Sequence, residues 1–147
     1  ARANQERSAR ARWLVEGLDL ARKGVKPIMA EGSLFLRLPV LLRGREAKEA
    51  VCRLSREQGA GLSPNYPATV QEIPELAGQL TGRRYPGAQE VVDRLVTLPT
   101  HLFVSEEDRL KIDRVLAAQG EFSVPGNTVE GDPAGRGAGH RHVHVRN

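Results

Sequence analysis

At 147 residues, 39% of them apolar, the sequence has length for one domain, or one domain with loose ends, and material for a core. Aromatic residues are only 4%, so that core is expected to rest on Leu, Val, Ile and Ala. No run approaches the roughly 20 apolar residues of a membrane helix, residues 1–10 lack the apolar stretch of a secretory signal, and the single Cys52 excludes an internal disulfide or a Cys-based zinc motif.

These exclusions predict a cytoplasmic protein with no membrane partner. The absence of an initiator Met fits a processed protein or a piece of a longer one. The net charge of +4 is unevenly placed. Residues 1–26 hold seven Lys or Arg against three acids, whereas residues 27–119 hold twelve of each sign. The neutral body gives no electrostatic footprint for nucleic acid. Binding through residues 1–26 is a separate possibility, but no aromatic is interleaved with the arginines for base stacking.

Residues 1–23 read as a helix whose face is Trp13, Leu14, Gly17, Leu18 and Ala21, with Arg2, Arg7, Arg10 and Arg12 around it; Gly24 and Pro27 stop it. Residues 33–42 read as a strand, with Leu34, Leu36, Leu38, Val40 and Leu42 on one side. Pro39 places that strand at an edge, or paired on one side there. Arg37 reaches a ligand or is simply an outward polar residue. Residues 45–58 form an amphipathic helix with Ala47, Ala50, Val51 and Leu54 inward, Arg45–Glu49 and Glu49–Arg53 pairs outside, and Gly59 at its end. Cys52 within it is a small buried hydrophobe.

Residues 61–74 are a proline-punctuated loop of the kind that carries binding groups. Gly61-Leu62-Ser63-Pro64-Asn65 stops one glycine short of a nucleophile elbow and lacks its strand-to-helix setting, which argues against a hydrolase. A short helix at 73–80, a helix at 87–95 with Ala88, Val91, Val92 and Leu95 on one face, and a strand at 96–98 ending at Pro99 follow. Ser105-Glu106-Glu107-Asp108 is a capping box, which accounts for its acids without catalysis or metal. Leu110, Ile112, Val115 and Leu116 form that helix's apolar side. From Gly120 the composition turns to Gly, Pro, Asn and Asp and predicts a disordered tail. Its His140, His142 and His144 alternate, either as a divalent-ion site or as a frayed end without one.

From about Ala9 to Leu116 the sequence resembles the C-terminal part of the DegT/DnrJ/StrS-type sugar aminotransferases, which depend on pyridoxal phosphate. The resemblance is carried by the arginine-rich helix, the strand LFLRLPVL, the loop Gly61-Leu62-Ser63-Pro64-Asn65-Tyr66-Pro67, and an ordered run: Tyr85-Pro86-Gly87-Ala88, Leu98-Pro99-Thr100-His101, Glu106-Glu107-Asp108 and Ile112. Thr69 stands near the place where the family usually has a further proline. The resemblance implies an α/β (α+β) fold, the small domain of a type I pyridoxal-phosphate transferase, with a short mixed or antiparallel sheet, helices on one side and a long N-terminal helix. It divides the chain into a basic linking helix (1–26), the small domain (27–119) and a tail (120–147).

In that family a keto sugar, usually nucleotide-linked, is aminated from an amino acid donor, and the enzyme is a homodimer. The cofactor sits on a lysine of a large domain; Lys23, Lys26, Lys48 and Lys111 lack that lysine's sequence setting. The resemblance therefore implies a chain that binds no cofactor alone, has no catalytic residue or metal of its own, and works with a large pyridoxal-phosphate-binding domain or a full-length homologue. Ser63, Asn65 and Tyr66 would cover the sugar site. The Tyr66 ring and hydroxyl suit a sugar edge, or the ring packs over Pro67. His101, in a structural Leu-Pro motif, is left out of catalysis. The alternative is a non-catalytic interaction or dimerisation module derived from the same fold.

Overall fold

The computed structural model describes residues 2–80 and 82–120, so the His140, His142 and His144 cluster lies outside the described residues. Among the described residues, five α-helices and a three-stranded antiparallel sheet make a mixed α/β arrangement. In chain order the elements are α1 (Arg2–Gly17), β1 (Lys26–Pro27), β2 (Arg37–Leu41), α2 (Arg45–Gln58), α3 (Pro74–Ala77), α4 (Pro86–Arg94), β3 (Leu95–Pro99) and α5 (Glu106–Ala117). The sheet order is β1-β2-β3. No helix among the described residues is long and apolar enough to cross a membrane.

One face of the sheet supplies Leu38, Val40, Leu42, Val96 and Leu98 to the core. Ala11, Leu14 and Leu18 from the α1 region, Val51 and Cys52 from α2, and Ile112, Val115 and Leu116 from α5 complete the same cluster. Branched aliphatics dominate it, and Phe35 is its one aromatic among the fully packed members. Trp13 lies against the cluster from outside, with Arg10 on one side of its ring and Arg109 of α5 near it, each guanidinium carbon 4.7 Å from the centroid.

The α1 helix stops at Gly17, six residues short of the expected end. A Cβ at Gly17 would sit 1.7 Å from the Arg109 guanidinium, so the glycine leaves the passage through which Arg109 reaches Trp13. Asp19 then takes a left-handed backbone (φ 44), and Ala21, expected on the buried stripe, is exposed. Lys23 fastens the turn, donating to the Leu18 carbonyl at 2.5 Å and pairing with Asp113 of α5 at 2.8 Å.

The second strand also begins later than its alternation suggests. Leu34 and Leu36 are exposed and Phe35 is buried, so the period-two pattern reverses at the bend before Arg37. Pro39 does not mark an edge: β2 is the central strand. Its missing N–H falls where no partner is needed. Pro39 stands opposite Thr97, whose own N–H and carbonyl turn away to Ser63, and β1 is ending there, with the Pro39 carbonyl accepting from the Ile28 N–H at 2.9 Å.

The α2 helix spans the predicted residues and ends on Gly59 in the left-handed region (φ 64), as its cap requires. Arg45 pairs with Asp93 of α4 at 2.6 Å rather than with Glu49. On α4, Ala88 is exposed and Val91 and Val92 are half-buried, so the expected apolar face is only partly covered. The Ser105 cap forms as expected: its hydroxyl accepts from the Asp108 N–H at 3.2 Å, and the Asp108 carboxylate accepts from the Ser105 N–H at 2.9 Å. Leu110 is exposed, unlike Ile112, Val115 and Leu116.

Candidate functional site

The segment from Gly61 to Pro67 runs along the outer edge of β3. Ser63 forms a bridge with Thr97: its N–H donates to the Thr97 carbonyl at 3.1 Å and its carbonyl accepts from the Thr97 N–H at 2.9 Å. Arg37 clamps the start of the segment. Its guanidinium donates to Thr97 Oγ1 at 2.7 Å, to the Thr97 carbonyl at 2.9 Å and to the Gly61 carbonyl at 2.5 Å. Burial lowers the Arg37 pKa, but a guanidinium stays charged. Arg37 is thus a structural fork rather than an idle outward residue. Ser55 adds a second anchor, its hydroxyl accepting from the Leu62 N–H at 2.9 Å.

Lys48 anchors the far end. Its ammonium donates to the Val92 carbonyl at 2.6 Å and the Asn65 carbonyl at 3.3 Å, tying the turn to the end of α4. Lys48 is only 9% exposed. Desolvation lowers its pKa, and Arg45 adds to the lowering, while Cys52 and Asp93 oppose it. The Cys52 thiol, one helical turn along, is pushed up by burial, with Lys48 and Arg56 pulling the other way. A raised thiol is a poor nucleophile, consistent with Cys52 as a small buried hydrophobe.

Tyr66 follows Asn65 in a left-handed backbone (φ 57), a conformation that a bulky side chain rarely takes and that concentrates at ligand clamps. Its side chain is 61% exposed. The three predicted residues do not converge on one cavity. Ser63 is held into the sheet by its backbone, Asn65 is half-buried and held through its carbonyl, and Tyr66 projects to solvent.

The concave feature beside them has a volume of about 310 Å³ and is lined chiefly by Arg45, Lys48, Cys52, Arg56, Pro64 and Asp93. Pro64 and Pro67, which also borders it, bracket Asn65 and Tyr66, so the cleft lies against the turn without including either residue. Sequence reasoning missed this basic lining. Its signal was the spacing of Lys48, Cys52 and Arg56 at four-residue steps, which stacks them along one side of α2.

Lysine chemistry on this chain does not fit a Schiff-base site for pyridoxal phosphate. Lys23 and Lys111 are engaged in ion pairs on α5, Lys48 is fixed by two backbone carbonyls, and Lys26 is exposed on β1. Among the described residues, no three His, Cys, Asp or Glu side chains gather as metal ligands. His101 is exposed, 6.2 Å from the Phe103 ring. No protein-family model matches the chain, and no curated protein matches it.

Proposed function

We propose that these residues are the substrate-covering small-domain portion of a DegT/StrS-type pyridoxal-phosphate-dependent aminotransferase, acting on a keto sugar, usually nucleotide-linked, with an amino acid as donor. The lysine that carries the cofactor belongs to a large domain outside this sequence, supplied by the same polypeptide or by a full-length homologue in a dimer. The observation that carries the reading is the presentation of Tyr66. An exposed ring and hydroxyl stand on a left-handed residue, in a segment pinned by the Ser63–Thr97 bridge on one side and the Lys48–Asn65 bond on the other. A covering loop needs such a rigid base with a projecting tip. Ser63 serves this role through its backbone and Asn65 through its carbonyl, leaving Tyr66 as the residue offered to a sugar.

The test is a fusion of this chain to the lysine-bearing large domain of a DegT/StrS-type enzyme. The fusion is expected to complete both half-reactions, with glutamate and then with a nucleotide-linked keto sugar. Tyr66→Ala should slow the second half-reaction about tenfold and leave the first unchanged. A folded fusion that turns over glutamate but no keto sugar, or one in which Tyr66→Ala changes nothing, overturns the proposal.

A further inference from the structure

We propose that the groove between α1 and the 29–35 segment, with the 101–103 turn beside it, is a contact surface for a second copy of this chain in a closed two-fold pair. The groove has a volume of about 480 Å³; Met29, Leu34 and Phe35 line it, with Arg12 and Glu31 among its polar members. Local bonds place both charges. The Ser33 N–H donates to the Ala30 carbonyl at 3.1 Å with Gly32 at φ 73, the positive value a type II turn needs, so Glu31 stands at a turn corner. The Ser8 hydroxyl donates to the Ser33 carbonyl at 3.4 Å and ties that turn to α1. Arg12 lies one helical turn beyond Ser8 on the same side of α1. Both Arg12 and Glu31 are exposed, and neither makes an ion pair or a side-chain hydrogen bond among the described residues.

The apolar surface beside them is continuous. The Thr100 hydroxyl, 2.9 Å from the Phe35 and Leu36 carbonyls, sets the 101–103 turn next to the groove. Met29, Leu34, Leu36, Leu102 and Phe103 are all exposed there. Together they leave on the order of 600 Å² of side chain in water, the upper end for one patch on a monomer. That is most of the roughly 800 Å² each partner gives to a standard interface. A two-fold axis lays such a patch on itself, so a surface holding both a groove and a projecting ring can complete itself. Phe103 of one copy then enters the groove of the other, and Arg12 of each copy meets Glu31 of its partner. These two rim pairs set the register, while the apolar groups supply the affinity. Glu31 beside Arg12 also disfavours an anionic lipid surface as the occupant. This inference does not rest on the aminotransferase reading.

The experiment is sedimentation equilibrium of the full 147-residue chain at physiological ionic strength. The chain is expected to pass from monomer to dimer with a Kd on the order of 10 µM, as suits an interface at the small end of the specific range. Arg12→Glu and Glu31→Arg change exposed side chains, and each replaces two attractions across the axis by two repulsions. Each alone should raise Kd about tenfold. An equimolar mixture of the two variants regains both pairs in the heterodimer, and its Kd should return to within about threefold of wild type. Net charge alone predicts the reverse for Arg12→Glu, since lowering the charge of +4 lessens repulsion between copies. A monomer at every concentration, an open polymer in place of a dimer plateau, or a mixture that associates no better than its components overturns the proposal. A monomeric chain that pellets with phosphatidylserine vesicles gives the face to a membrane. One whose 101–103 amides exchange more slowly only in the large-domain fusion gives it to that domain. Either result likewise overturns the pair.

Discussion

Tyr66 holds an unfavourable backbone for a residue whose ring gains little from burial in this chain. For a side chain with a Cβ, the left-handed region costs about 1 kcal/mol or more, and glycine avoids that cost. Tyr66→Gly is therefore expected to stabilise the chain by about 0.5–1 kcal/mol in urea unfolding, net of glycine's freer unfolded state. A loss of stability instead would show that the ring packs over Pro67 and is not held out for a ligand. The identity of Tyr66 was legible because it stands beside a proline in a loop. Its strain was not, since the turn is held by Lys48, 17 positions from Asn65, and by Thr97, 34 positions from Ser63, contacts that no local pattern encodes. Arg37 shows the same limit. As an outward member of a strand it looked expendable, yet its fork joins Thr97 and Gly61, and only the pairing of β2 with β3 brings those groups within reach.

Between residues, caps and breakers read well and helix faces read less well. Gly59 and the Ser105–Asp108 box work within four residues, so their chemistry is local and survives any tertiary context. The Asp108 pKa is lowered first by its bond from the Ser105 N–H and then by the Ser105 hydroxyl, with smaller help from Lys111 and His101 against desolvation. A carboxylate lowered in the folded state contributes stability that is complete above its unfolded pKa and is lost as pH falls through the folded value. Asp108→Ala should thus cost about 0.5–1 kcal/mol at neutral pH. That difference should shrink toward zero in strongly acidic solution, read by urea midpoints across the acid limb. A difference that stays constant with pH would assign the cost to lost packing. The α1 helix and the start of β2 were misjudged for a common reason. At each boundary a distant side chain comes close, Arg109 passing Gly17 in one case and Thr100 bonding the chain at Phe35 and Leu36 in the other.

At the scale of the whole molecule, the sheet leaves one end uncovered. The Thr100 hydroxyl is 2.9 Å from both the Phe35 and the Leu36 carbonyls, which sets the 101–103 turn beside the start of β2. Leu36 is 74% exposed there and Phe103 87%, with Leu34 and Leu102 also exposed. Leu36 and Leu38 lie two residues apart, and composition and alternation gave them one role; the bend before Arg37 separates them into surface and core. Leu38→Ala should cost about 2–5 kcal/mol, the range for a leucine lost from a packed core. The double change Leu36→Ser with Phe103→Ser should move stability by no more than about 0.5 kcal/mol, because those side chains leave water only slightly on folding. In the two-domain reading this end is where another body would remove apolar surface from solvent, since contiguous exposed apolar groups mark contact sites. The double variant is then expected to keep its unfolding midpoint while lowering concentration-dependent self-association in sedimentation. A large fall in that midpoint would mean that Leu36 and Phe103 support the fold itself, and the uncovered end would lose its meaning as a contact surface.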